Sequence, residues 1–322
     1  MIRYLLAIAV LTPAVLAAQE GPVATQTILT FDVPNKIGAP DISQFITPQS
    51  VRLRVNNRNA ELTSLTRIQS NGVQVALLID DGLRTSVGRQ ISDIKTFITS
   101  LPVGTEILVG YMQNGRVVSD QSFTTNHAAA SATLRIPLGT PGASASPYLC
   151  LSDFVRKWPA SESGTPEARF VIMLTNGVDP YNGSVSPMNQ NSLYVDNAIR
   201  DAQRMGVPVY SIYYGDAGIG GGDASFSGQN YLSQVAEGTG GRAYFQGSGN
   251  PVSLTPFFNQ FKKSLAESYV ATFNASSRSD LIDVKVSTSL SGTKVRSPQK
   301  VKPGARITAS PQDHPMEMPA AR

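Results

Sequence analysis

The side chains able to do chemistry in this 322-residue chain gather where apolar runs stop. Gln74 to Ile79 (QVALLI) is an unbroken apolar run that ends at Asp80 and Asp81, with Gly82, Leu83, Arg84, Thr85 and Ser86 behind them. Arg169 to Thr175 (RFVIMLT) ends at Asn176, Gly177, Val178 and Asp179. Val207 to Tyr214 ends at Gly215 and Asp216, and Ser144 and Ser146 stand before a helical pattern that opens at Pro147. Carboxylates, hydroxyls and an amide support three kinds of chemistry: proton transfer, coordination of a hard cation through oxygen, or hydrogen bonding to a partner. Two histidines and one cysteine exclude a multi-histidine metal centre, a cysteine zinc cage and an intrachain disulfide framework. The chain carries no HExxH, P-loop or GxSxG motif. Gly218 to Gly222 (GIGGG) misses the GxGxxG spacing and reads as a mobile loop.

What must position these groups is a set of strands covered on both faces. Continuous apolar runs suit such strands. Thr105 to Met112 is a second one, and Arg116 to Phe123 hairpins against it through Asn114-Gly115. Between the runs lie helical patterns: Ser86 to about Ser100 with Ser86 as cap, Pro147 to Trp158, Asn191 to Met205, a short one at Tyr231 to Ala236, and Ser253 to Tyr269. A tight turn at Gly238 to Gly241 leads into Arg242 to Phe245. Alternating strand and helix from about residue 72 to 268 predicts a doubly wound α/β domain with a mainly parallel sheet. In such sheets ligands sit beyond the carboxyl ends of the strands, where the chemistry-bearing residues fall.

Antiparallel β patterns flank this region. On the amino side (residues 19–71), Gln26 to Val33 and SVRLRV at Ser50 to Val55 read as strands. Asn56 to Asn59 is a turn, and Ala60 to Ile68 returns as the second arm of a hairpin. On the carboxyl side (269–299), Ile282 to Thr288 alternates apolar and polar residues, as in a sandwich or small antiparallel sheet. Each set is too small to be stable alone, so the two are expected to form one module with the α/β domain inserted between them.

The ends read separately. Residues 1–18 carry one arginine, an apolar run from Leu5 and small residues up to Ala18, a secretory signal pattern with cleavage after Ala17 or Ala18. The run is too short to span a membrane comfortably, and no later stretch reaches spanning length. The mature protein is therefore expected in the periplasm or outside the cell. Residues 300–322, with Pro303, Pro311, Pro315 and Pro319, read as a flexible basic tail. Ser291 to Arg322 holds six basic and two acidic residues, which equals the whole chain's +4. The rest is near neutral, which argues against a nucleic-acid groove.

The apolar strand ending in Asp80, the loop of small residues and the amphipathic helix behind it resemble the start of a von Willebrand factor type A (VWA) domain. TEILVGYMQNG, FVIMLTNGVD, VPVYSIYY and GTGGRAYF follow in the matching order. ITPQSVRLRVNNRNAEL and LAESYVATFNA resemble the β segments that flank this domain in a group of secreted bacterial proteins. The resemblance implies a metal-ion-dependent adhesion site of pattern Asp-x-Ser-x-Ser, completed by a Thr and an Asp from two further loops. Asp80 matches the first position, Gly82 and Arg84 replace the two Ser, Ser146 (or Ser144) stands for the Thr, and Asn176 replaces the Asp. Two hydroxyls and one negative charge are gone, and Arg84 brings a cation where a cation would bind. No cofactor is expected, and Mg²⁺ or Mn²⁺ only weakly.

The expected activity is protein recognition: an exported, non-enzymatic binding module with a degenerate metal site and an unidentified protein partner. The alternative is a hydrolase or other enzyme that uses Asp80 and Asp81. A small-ligand binder of the periplasm would show two α/β lobes, and one is visible. Single residues also have plain structural readings. Asp80 caps the following turn, Arg84 pairs with Asp80 or Asp81, Asp179 makes a turn, and Cys150 is core. His127 opens a short helix, and Tyr210, Tyr213 and Tyr214 pack in the sheet.

Overall fold

The computed structural model describes residues 21–33, 42–160, 168–180, 191–215, 221–247, 249–276 and 278–307. The expected leader at 1–18 lies outside them. Fourteen strands run in chain order: β1 Val23–Asp32, β2 Val51–Val55, β3 Arg58–Ala60, β4 Leu62–Arg67, β5 Val73–Asp80, β6 Glu106–Gln113, β7 Arg116–Val118, β8 Ala168–Thr175, β9 Val209–Tyr213, β10 Ala243–Tyr244, β11 Ser268–Ala275, β12 Ile282–Thr288, β13 Lys294–Arg296 and β14 Lys300–Val301. The helices are α1 Ile91–Thr99, α2 His127–Ala132, α3 Pro147–Arg156, α4 Leu193–Met205, α5 Gly221–Thr239 and α6 Thr255–Ala266.

The central sheet has the order β10-β9-β8-β5-β6-β7. All its neighbours are parallel except β7, which turns back on β6 through Asn114-Gly115. Counted within the sheet, this is the doubly wound order 3-2-1-4-5-6, a VWA- or Rossmann-like architecture. All eight residues of β5 are buried, as its unbroken apolar run implies. Val75, Leu77 and Ile79 point to the layer of α1, α2 and α6, where Phe97 stacks on Phe258 at 4.2 Å. Ala76 and Leu78 point to the layer of α3, α4 and α5, with Tyr148, Leu151, Val195 and Leu232. The order reverses between β5 and β8, so the switch point at which such sheets bind ligands falls at Asp80 and Thr175.

The flanking strands do interleave. β1 pairs with β11 over eight positions, from Val23↔Ala275 to Thr30↔Ser268, within the sheet β13-β1-β11-β4. β2 pairs with β12 in the sheet β14-β12-β2-β3. Leu53, Phe273 and Val284 fill the space between the two sheets at one end, and Leu29, Phe31 and Tyr269 at the other. The opposite face of β1 and β11 gives Ile28 and Val270 to the α/β core. A half-buried ionic joint adds to this seam: Arg296 of β13 binds both oxygens of Asp32 at 3.1 Å and the Gly241 carbonyl at 2.8 Å.

Several expectations from sequence change. The arm Ala60 to Ile68 is not one strand, because β3 stays with β2 while β4 crosses to β11. The helix expected from Ser86 begins as a 3₁₀ turn over Thr85–Gln90, and Gln90, not Ser86, precedes α1. The short helix at Tyr231 is the second half of the nineteen-residue α5, which already includes Gly221 and Gly222. Gly218 to Gly220 lie outside the described residues. The tail expected from Lys300 starts as structure: β14 pairs with β12, the Gly304 amide donates to Thr25 Oγ1 at 3.0 Å, and Ile307 packs on the core. Among the described residues no helix is long and apolar enough to cross a membrane.

Candidate functional site

The switch point is lined by polar side chains that satisfy one another. Asp80, the last residue of β5, is 3% exposed. Its Oδ1 accepts the Gly82 amide at 2.9 Å, an Asx turn, and its Oδ2 accepts the Thr175 hydroxyl at 2.7 Å. Ser144 adds a third hydrogen bond. Burial pushes the Asp80 carboxyl above its ordinary value; these hydrogen bonds pull it back, and the neighbouring Asp81 charge adds to the rise. Thr175, which sequence reasoning passed over as the end of a strand, is the residue that joins β8 to Asp80. Its oxygen also accepts the Gly177 amide at 3.0 Å.

Asp81 faces the other way and is fully paired. Its side chain is buried, and Arg135 binds it in a fork, with Nη1 to Oδ1 at 2.7 Å and Nη2 to Oδ2 at 2.9 Å. The Leu138 amide donates to Oδ1 at 2.9 Å, and the Gln113 side-chain amide donates to Oδ2. Burial alone would raise the Asp81 carboxyl, but Arg135, Leu138 and Gln113 outweigh it and hold the group below its ordinary value. The Arg135 guanidinium lies 3.7 Å from the centre of the Tyr111 ring, and the Tyr111 hydroxyl donates to the Arg135 carbonyl at 2.7 Å. Asp81 thereby straps residues 133–146 across the top of the sheet. The Gly139 amide reaches the Asp81 carbonyl at 3.2 Å, and the Asn114 and Gly115 amides reach the carbonyls of Ala143 and Ser144.

The other expected site residues fall around this point with separate tasks. Arg84 is exposed at the start of the 3₁₀ turn, while Asp80 is buried. Ser146, the preferred match for the Thr, caps α3 and accepts the Leu149 amide at 3.4 Å. Ser144 is the serine that reaches Asp80. Between them Ala145 holds φ +63°, a left-handed conformation uncommon without glycine. Asn176 Oδ1 accepts the Val178 amide at 2.9 Å, and Asp179 accepts the cap hydroxyl of Ser192 at 2.7 Å. Cys150 is buried, and burial pushes its thiol up to about 12. His127 opens α2 behind its cap Asn126, and the three tyrosines are core.

The donor set does not fit an octahedral Mg²⁺ or Mn²⁺ site. One carboxylate is present, and both its oxygens already accept N–H or O–H groups. Gly82 offers no side-chain oxygen. A Cβ there would stand 3.2 Å from both Asp80 Oδ1 and the Thr140 carbonyl, so the strap fills the space a serine ligand would need. Among the described residues no three His, Cys, Asp or Glu side chains converge.

Around the polar centre exposed apolar side chains stand among polar ones such as Arg84, Thr85 and Thr140. Ten large apolar side chains are well exposed among the described residues, and six of them stand on this edge: Ile136, Leu138, Leu193, Phe226, Phe245 and Val252. They lie on linked segments. Ile136 packs over Gly88 of the 3₁₀ turn, and Gln90 of that turn donates to the Val252 carbonyl at 3.2 Å. Gln229, one turn beyond Phe226, donates to the Gly247 carbonyl just after Phe245 at 2.8 Å.

No protein-family model and no curated protein sequence matches the chain. Among solved structures it is similar to a von Willebrand factor type A protein from Catenulispora acidiphila, at 12% identity and TM-score 0.43, over 89% of this chain and 74% of that one. It is also similar to an aerotolerance-related membrane protein from Bacteroides fragilis, at 12% identity and TM-score 0.39, over 60% of this chain and 98% of that one. The PilB minor pilin of Streptococcus sanguinis is a third, at 14% identity and TM-score 0.40, over 65% of this chain and 64% of that one.

Proposed function

We propose that this chain is an exported, non-enzymatic protein-binding module that meets its partner at the carboxyl edge of the parallel sheet without a metal ion. The observation that carries the reading is apolar: six of the ten well-exposed large apolar side chains among the described residues lie on segments at the carboxyl ends of the parallel strands. Apolar groups gathered at one edge and rimmed by polar ones mark protein contact surfaces. Leu138 is 63% exposed, yet the Asp81 carboxylate holds its backbone, so the side chain is presented from a fixed strap. Such pre-ordering lowers the entropy lost on binding. Arg84 and Asn176 supply polar contacts beside the rim.

The hydrolase reading requires a carboxylate pair for proton transfer. Against it, Asp81 is ion-paired with Arg135, and Asp80 is buried with its oxygens hydrogen-bonded to Thr175 and Gly82. The residues named for the degenerate metal site, Asp80, Gly82, Arg84, Ser146 and Asn176, act in this proposal as scaffold and rim.

The test compares wild type with Ile136→Asp/Leu138→Asp in cross-linked capture from the native envelope, beside a broad hydrolase screen. A partner captured by wild type and lost by the double variant supports the reading. Turnover in the screen, or capture indifferent to both substitutions, overturns it. Export is tested by N-terminal sequencing of secreted protein, with Ala18 or Gln19 expected first.

A further inference from the structure

A second set of polar groups sits at the far end of the β sandwich, away from the carboxyl edge. A groove of about 430 Å³ opens there between the β2–β3 turn, the end of β11 and the segment leading into β12. Arg58 and Arg278 line it, with Asn56, Asn274, Ser276 and Ser279 between them over an apolar floor. No carboxylate lines it. Of the nearby acids, Asp280 is bound by Arg204 at 2.6 Å, while Asp283, whose backbone pairs with Asn56 of the turn, lies 3.7 Å from Lys300 and offsets part of the local positive charge. Both groove arginines are exposed, and neither forms an ion pair or side-chain hydrogen bond among the described residues.

The outer face of the same hairpin is basic as well. In the β2–β12 register Arg54 stands directly opposite Lys285, and Arg52 follows on the same face of β2. Like charges so placed repel. Both lean on the turn: Arg54 Nη2 donates to the Asn57 carbonyl at 2.9 Å, and Lys285 Nζ to Asn57 Oδ1 at 3.4 Å. Four cations, Arg54, Arg58, Arg278 and Lys285, thus crowd one turn, and a bound anion would relieve their repulsion.

The kind of anion follows from the lining. A guanidinium fork fits the paired oxygens of a sulfate or carboxylate. The interleaved amides and hydroxyls suit the hydroxyls of a sugar. No aromatic side chain lines the groove, so it offers no platform for stacking bases. We propose that this groove binds acidic glycan chains, with Arg58 and Arg278 holding an oxyanion group and Arg54 and Lys285 engaging the chain as it continues over the hairpin.

The full chain is titrated with heparin, with polygalacturonate and with single-stranded DNA by calorimetry at 50 and 200 mM NaCl. The account expects salt-dependent binding of one or both glycans and weaker binding of DNA. Heparin alone would identify the group as sulfate, and polygalacturonate as carboxylate. Arg58→Gln/Arg278→Gln should weaken glycan binding at least about ten-fold and lower the salt slope by roughly two, with unchanged melting temperature. Ile136→Asp/Leu138→Asp should leave it unchanged, which separates this site from the carboxyl edge. Glycan binding within two-fold of wild type in the arginine variant, equal affinity for DNA, or no glycan binding at 50 mM NaCl would each overturn the proposal.

Discussion

Replacing Arg135 by Ala tests the strap that holds the carboxyl edge. The substitution leaves Asp81, whose side chain is fully buried, with only the Leu138 and Gln113 amides as partners. Removing one member of a buried ion pair costs about 3–5 kcal/mol. The Arg135 side chain is 37% exposed, so water and salt already weaken its share, and roughly 2–3 kcal/mol at pH 7 is the better figure. For a body of this size that lowers Tm by about 4–6 °C. The pH dependence carries a sign. In wild type the folded Asp81 carboxyl lies below its unfolded value, so its contribution is fully present above about pH 4 and is lost as pH falls through the folded value. Without Arg135, burial dominates and the folded value rises above the unfolded one. The variant then gains stability on acidification, while the wild type loses it. Urea unfolding followed by circular dichroism at pH 7 and pH 3 reads both effects. A difference under about 0.5 kcal/mol at pH 7, or one that stays constant down to pH 3, refutes the reasoning.

Asp80→Asn removes a charge that burial disfavours, so it should match or exceed wild type in Tm at pH 7; because the Asp80 carboxyl is raised, the gap should close on acidification. Gly228→Ala, which in an ordinary helix interior gains about 1 kcal/mol, should here cost at least about 2 kcal/mol in urea unfolding, because the new Cβ would stand 2.1 Å from the Asn176 carbonyl oxygen. Cys150 should stay unreacted with a thiol reagent in the native protein at pH 8 and titrate as one thiol per chain in urea.

The parallel sheet was legible because β5, β6 and β8 are buried on both faces, which writes unbroken apolar runs into the sequence. Helix α5 was half hidden. Its first part, GGDASFSGQN, is polar and glycine-rich, and Gly228 is present because the helix presses against the Asn176–Gly177 backbone. The β2–β4 stretch read as one hairpin because nothing local marks the crossing; Leu62 makes it legible only afterwards, since it packs in both halves of the sandwich core. At the site, Asp80, Gly82 and Asn176 could be found from their place after buried strands. Arg135 could not, because it meets Asp81 across 54 positions of sequence with no periodic pattern between them. Ser144 and Ser146 divide their tasks through the left-handed turn at Ala145, which residue types alone do not announce.

The claim of metal-independent recognition at the apolar rim is tested most directly by partner capture with four samples: wild type and Leu138→Asp, each in Mg²⁺ and in EDTA. The account predicts the same captured partner for wild type in both buffers and at least about ten-fold less for Leu138→Asp in both, the loss expected when a charge enters the centre of an apolar contact. Capture that vanishes in EDTA and ignores Leu138→Asp would contradict it and return the switch point at Asp80 to ordinary metal-dependent adhesion.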